Sequence, residues 1–175
     1  MPGDIDVYQT CPCGSGKKLK FCCQAIVTEM VKVSELQQSH QYQAALTLLD
    51  TVEKKVPPRD VWSRAWVKTT KAFLLFSLGT VDEPRKLVGD VLEELPEHPL
   101  AVAVNGVLAL AADGYPAAMR PVYRAFQVAG PTQPHLTSHL AMALSSPTSR
   151  LDLDVPEPEL RRVALHLRPG RDEDH

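Results

Sequence analysis

Four cysteines, Cys11, Cys13, Cys22 and Cys23, fall within thirteen consecutive residues, and the rest of the chain has none. Their spacing is C-x-C-x8-C-C, two sulfur pairs on either side of the turn Gly14-Ser15-Gly16. Four thiolates brought to one point suit a tetrahedral structural zinc site, with Zn–S distances of about 2.3 Å. Gly14 and Gly16 permit positive φ, and so a bend tight enough to bring the two pairs together. Four thiolates around one divalent ion leave a charge of about −2, and Lys17, Lys18 and Lys20 stand where they could offset it. So short a segment has no hydrophobic core, so metal binding would supply its folding free energy. One Zn2+ per chain is the expected cofactor, and Cys11, Cys13, Cys22 and Cys23 are the expected ligands.

Other chemistries compete for the same residues. Two disulfides need an oxidising compartment, whereas residues 1–10 hold two acids and no base, unlike the start of a secretory signal. A thiol sensor that releases zinc on oxidation at Cys22-Cys23 is an alternative. Against it, adjacent cysteines form strained disulfides, and a metal-bound thiolate is less available for attack. The run Gly-Ser-Gly-Lys-Lys hints at a phosphate-binding loop, but Cys11 replaces that motif's first Gly and Lys18 its Ser or Thr. His135 and His139 share a helix face by spacing, but Leu136 stands where a metalloprotease needs Glu. With no nucleophile, base and oxyanion donor set, the expectation is a protein that is not an enzyme.

The stretch CPCGSGKKLKFCC resembles the SEC-C motif, named after the zinc-binding C-terminal tail of the bacterial translocase motor SecA. The family's three cysteines and fourth Cys or His map onto Cys11, Cys13, Cys22 and Cys23, and its Gly-Ser-Gly-Lys-Lys core onto Gly14 to Lys18. Leu19 departs from the usual aromatic residue and Phe21 from a small or basic one. Neither departure touches a ligand. The related tail of SecA contacts the export chaperone and the ribosome, so the resemblance implies protein binding.

At 175 residues, with a formal net charge of −2, the chain has room for one ordinary core and no general affinity for nucleic acid or anionic membranes. Residues 57–149 carry eight basic and eight acidic residues, so no basic domain is hidden within it. The longest apolar run, Leu100 to Ala112, contains Asn105 and Gly106 and is too short to span a bilayer. A cytoplasmic location is expected.

From Gln24 onward the apolar spacing is helical. Paired helices are expected up to Pro57-Pro58, then from Arg59 through the Gly79 turn to Pro96, then from Pro99 through Asp113-Gly114 to Gly130-Pro131. Pro121 predicts a kink in the last helix, or a start nearer Met119. Ala45 and Pro57, Pro84 and Pro96, and Met119 and Pro131 are each twelve apart, with His40, Gly79 and Gly114 five before the first member. That offset resembles a tetratricopeptide repeat, although the unit spacings of 39 and 35 are irregular. An irregular helical bundle is the alternative.

The expected fold is therefore all-α: tetratricopeptide-like helical hairpins over 26–145, a SEC-C zinc knuckle over 1–25 and a Pro-rich charged tail over 146–175. His135 to Ser145 is expected to begin a capping helix, and a short helix is plausible at Pro158–Leu167. In this register Trp66, Thr69, Phe73 and Phe76, then Ala101, Val104 and Leu108, would line an apolar concave groove, or else form core. The expected partner is a protein or peptide, met at Lys17, Lys18, Lys20, Trp66, Phe73 and Phe76. A nucleic-acid or ribosome-associated adaptor role for the lysines is the alternative, disfavoured by the balanced charge. Oligomeric state is left open.

Overall fold

The structure is a computed structural model that describes residues 6–130 together with Ser138, Leu140 and Ala141. The expected histidine pair His135 and His139, most of the capping segment, and the tail from Ser146 lie outside the described residues. Within them the chain is all-helical: a 3-10 turn at Leu19–Phe21, then α1 (Val27–Gln38), α2 (Tyr42–Lys55), α3 (Val61–Ser77), α4 (Asp82–Glu94), α5 (Pro99–Asp113) and α6 (Tyr115–Ala129). No strand forms among these residues, apart from one isolated antiparallel bridge between Thr10 and Lys18. No helix among them is long and apolar enough to cross a membrane.

Local chemistry sets the boundaries. Pro57 pushes the residue before it out of helical geometry, and Val56 accordingly takes φ −75° and ψ 122° at the end of α2. Asp60 caps α3, its carboxylate accepting the Ser63 amide at 3.1 Å. His98 caps α5, its Nδ1 accepting the Ala101 amide at 3.2 Å, and Pro99 follows where no intrahelical N–H is needed. The α5–α6 connection is Gly114 alone, at φ 74°, a backbone state that favours glycine. The start of α6 differs from one expectation. It begins at Tyr115 rather than near Met119 and runs through Pro121. Ala118, Val122 and Ala125 bury one stripe against α5 on both sides of that proline, so packing holds the helix where its own hydrogen bonding is interrupted.

Each helix packs on the next, and α3 also meets α5. The arrangement depends on α3 being apolar on two faces. Val67 and Leu74 join Met30 and Val33 of α1 and Leu49 and Val52 of α2. On the opposite face, Ala65 and Ala72 join Val88 and Val91 of α4 and Val104 and Leu108 of α5. Ion pairs tie successive seams: Glu29–Lys55 at 2.8 Å, Asp50–Lys71 at 2.7 Å, Glu94–Arg64 at 2.6 Å, and Asp113–Arg85. These exposed pairs contribute roughly 0–1 kcal/mol each and act more on register than on stability.

Candidate metal centre

The cysteine loop is built by its own backbone. Gly14 and Gly16 take φ 85° and 72°, in the left-handed region expected of them. The Cys11 amide donates to the Lys17 carbonyl at 2.8 Å and the Gly14 amide to the Cys11 carbonyl at 3.2 Å, closing the turn. The Leu19 amide then donates to the Gln9 carbonyl at 2.9 Å, and the 3-10 turn delivers Cys22 and Cys23 beneath the loop. Leu19 is fully buried.

The four sulfurs of Cys11, Cys13, Cys22 and Cys23 lie within 4.8 Å of one another, all as free cysteines. Cys13 and Cys22 sulfurs are 3.4 Å apart, and those of Cys22 and Cys23 are 3.6 Å apart. A regular tetrahedron with metal–sulfur bonds of about 2.3 Å has sulfur–sulfur edges of about 3.8 Å. The donor set is therefore compact enough for a tetrahedral ion once its wider edges, none above 4.8 Å, close toward that length. Cys11, Cys13 and Cys23 are buried, and Cys22 is half-buried.

Crowding four ionisable sulfurs divides their proton affinities. The Cys13 thiol is pushed down to about 5, chiefly by the hydrogen bond from Cys23 and also by the hydroxyl and amide of Ser15. Burial pushes Cys22 up to about 12. Cys23 is also raised, by its hydrogen bond to Cys13 and by burial. Without a cation, one thiolate is favoured and its neighbours hold their protons. A divalent ion reverses that preference, because it replaces repulsion among thiolates with four attractive bonds.

The three lysines lie on the outside of the cysteine loop. The Lys20 ammonium hydrogen-bonds the Tyr8 hydroxyl at 3.3 Å and lies 5.2 Å from the Tyr8 ring centre and 5.8 Å from that of Phe21. Lys17 and Lys18 project into solvent. The sulfurs are met by Ser15, whose hydroxyl is 3.2 Å from the Cys22 sulfur. Phe21 is 72% exposed and Tyr8 59%, so the knuckle presents two rings and three lysines outward.

Its other side is sealed onto the helices. Cys11, Cys13, Leu19 and Cys23 belong to the same buried cluster as α1, α2 and the Val67–Leu74 face of α3. Gly14 abuts Pro99, and the Trp62 and His98 rings lie 5.3 Å apart, tilted by 30°. Of the residues expected along the groove, Thr69, Ala101, Val104 and Leu108 are core. Phe73 and Phe76 are half-buried against the α3–α4–α5 cluster, away from the cysteines. Trp66 is half-buried in the knuckle's cluster and also lines an open cleft with Pro12, Val27 and Met30. The tertiary structure thus brings Trp66 to the knuckle and separates Phe73 and Phe76 from it. Tyr8 and Ser15 were not expected site residues. Only Ser15, inside the Gly-rich turn, carried a local signal.

An all-helical body with four converging cysteines defines a protein with a candidate structural metal centre. The family profile described as SEC-C motif matches residues 9–25, which include all four cysteines and Ser15. The match stops short of α1. No curated protein and no solved structure matches the chain.

Proposed function

We propose that the chain is a non-catalytic, cytoplasmic protein-interaction adaptor in which one Zn2+, held by Cys11, Cys13, Cys22 and Cys23, folds a knuckle onto a tetratricopeptide-like helical body. The convergence of four free sulfurs within 4.8 Å carries this reading. Thiols kept reduced accord with a cytoplasmic setting. Support for the repeat comes from the pairing of each helix with the next and the additional α3–α5 contact, which is how stacked hairpins meet.

The bound ion would supply fixed positive charge that keeps all four sulfurs as thiolates. The chain's own residues do the rest. Ser15 orients Cys22, Leu19 anchors the loop, and Lys17, Lys18 and the Tyr8–Lys20–Phe21 stack face outward. Exposed rings beside ammoniums suit an acidic protein segment, with carboxylates on the lysines and an apolar side chain on Phe21. Trp66 borders the cleft beside this knuckle, whereas Phe73 and Phe76 contribute mainly to packing.

The test is metal analysis of fresh reduced protein, followed by binding of acidic peptides and of single-stranded RNA at several salt concentrations. One zinc per chain, lost in Cys11→Ser/Cys22→Ser, with peptide capture abolished by Lys17→Glu/Lys18→Glu/Phe21→Ala, is the expected outcome. Steeply salt-dependent RNA binding with no peptide binding would replace the adaptor reading with a nucleic-acid one. Absence of metal would overturn the zinc site.

A further inference from the structure

The helix that follows the cysteine knuckle at a distance in sequence contributes a polar group that its own fold does not use. Ser63 stands in the first turn of α3, 1% exposed, and its hydroxyl oxygen is sealed from solvent without a well-formed hydrogen bond. A buried hydroxyl left unsatisfied costs roughly 1–3 kcal/mol, so its retention calls for a partner. Helical geometry identifies the direction. At about 100° per residue, Ser63, Val67 and Leu74 form one stripe. Val67 and Leu74 are in the buried cluster that contains Cys11, Cys13 and Cys23. Ala65 and Ala72 mark the opposite face, toward α4 and α5. Ser63 therefore extends the cysteine-facing stripe to its buried N-terminal end, and its hydroxyl acts on Cys23 in the direction that favours the thiolate.

We infer that Ser63 is a positioning residue of the metal centre, donating its hydroxyl hydrogen to the Cys23 sulfur when that sulfur is a metal-bound thiolate. The inference rests on the metal-binding reading above and extends it beyond the matched motif, which ends at residue 25. A thiol sulfur is a weak acceptor and a thiolate a much stronger one, so the hydroxyl's missing bond and the metal's arrival are complementary. The Ser63 amide is already held by the Asp60 carboxylate at 3.1 Å, which fixes the side chain's origin at the capped end of α3. The same contact joins metal occupancy to the start of the helix that organises the core. Outer hydrogen bonds of this kind orient ligands and tune the metal.

The experiment uses the full chain and Co2+ as the probe, read by its thiolate-to-cobalt absorption and by chelator competition. Ser63→Ala is expected to lower affinity by roughly tenfold, within the usual range for outer contacts. It should also move the charge-transfer band to longer wavelength, because a thiolate relieved of a hydrogen bond donates more strongly. Ser63→Thr, which keeps the hydroxyl, should stay near the wild-type values, while the equally bulky Ser63→Val should follow Ala. This matched pair separates the hydroxyl from any packing effect, and circular dichroism of each variant checks its helices. An unshifted band and unchanged affinity in both Ser63→Ala and Ser63→Val would overturn the Ser63 role and leave the metal site standing. Failure of the wild-type chain to take up Co2+ would overturn both.

Discussion

At Gly14 two constraints meet in one residue. Its φ is 85°, and an added Cβ would stand 2.9 Å from Pro99 Cδ at the start of α5. Gly16 shares the first constraint, at φ 72°, but has open space around it. Left-handed backbone costs a non-glycine residue about 1–2 kcal/mol, and overpacking adds about 1–3 kcal/mol. Gly14→Ala is therefore expected to lower the urea midpoint of metal-loaded protein about twice as far as Gly16→Ala. Equal effects would mean that the loop is not seated on α5. His98 offers a second prediction. Burial pushes it down to about 4, and its Nδ1 accepts from Ala101, so the folded state holds the imidazole neutral. The unfolded state, with an ordinary pKa near 6.5, binds more protons between about 4 and 6.5. Stability from this residue is thus fully present above about pH 6.5 and is lost as pH falls toward 4, to a total of about 3 kcal/mol. Release of an ion bound at the cysteines would also weaken the protein in acid. The relevant measurement is therefore the difference between wild type and His98→Asn, which keeps a capping side chain. That difference should shrink from pH 7 to pH 4.5.

Among the elements, α5 shows how close helix packing reads out in glycine. A Cβ at Gly106 would meet Ala125 Cβ of α6 at 3.1 Å, while one at Gly89 of α4 would meet nothing within 4 Å. Gly106→Val is expected to destabilise by about 1–3 kcal/mol through overpacking. Gly89→Ala should stabilise by about 0.5–1 kcal/mol, the ordinary helix-propensity gain. Thermal melts of the two variants should move in opposite directions. The helix limits themselves were legible beforehand. Proline ends α2 at Val56 and α4 at Leu95, and Gly114 separates α5 from α6, because these residues act on their own neighbours' dihedrals. Pro121 left two outcomes open, a helix carried through it or a start nearer Met119, and α6 carries through. A local rule against proline within a helix was outweighed by the stripe that Ala118, Val122 and Ala125 bury on α5.

For the molecule as a whole, the knuckle and the first three helices share one buried cluster. A separable zinc tail would melt apart from its helical body. Here metal removal is expected to lower the midpoint of the helical transition itself and to leave Val27, Met30 and Val67 without the cover of Leu19 and the cysteines. Far-UV circular dichroism with and without a strong chelator checks this. Identical melts would show that the helices stand without the knuckle. The gain from a bound ligand rises with its affinity, so a tightly held ion would shift the transition by several degrees or more.

Much that depends on near neighbours was legible in the sequence. It marked the four cysteines that converge, through their spacing within thirteen residues and two glycines now found at positive φ. It marked the six helices over residues 27–129, through apolar period and proline stops. The tertiary structure alone decided which faces meet. Trp66 joins the knuckle while Phe73 and Phe76 turn toward α4 and α5, although all three lie at helical spacing on α3. Lys20 is held by Tyr8 and Phe21, which lie on either side of the Gly-rich turn in sequence. Spacing along a helix establishes that side chains share a face. Which neighbour that face meets is set by long-range packing, through contacts that no local run of residues encodes.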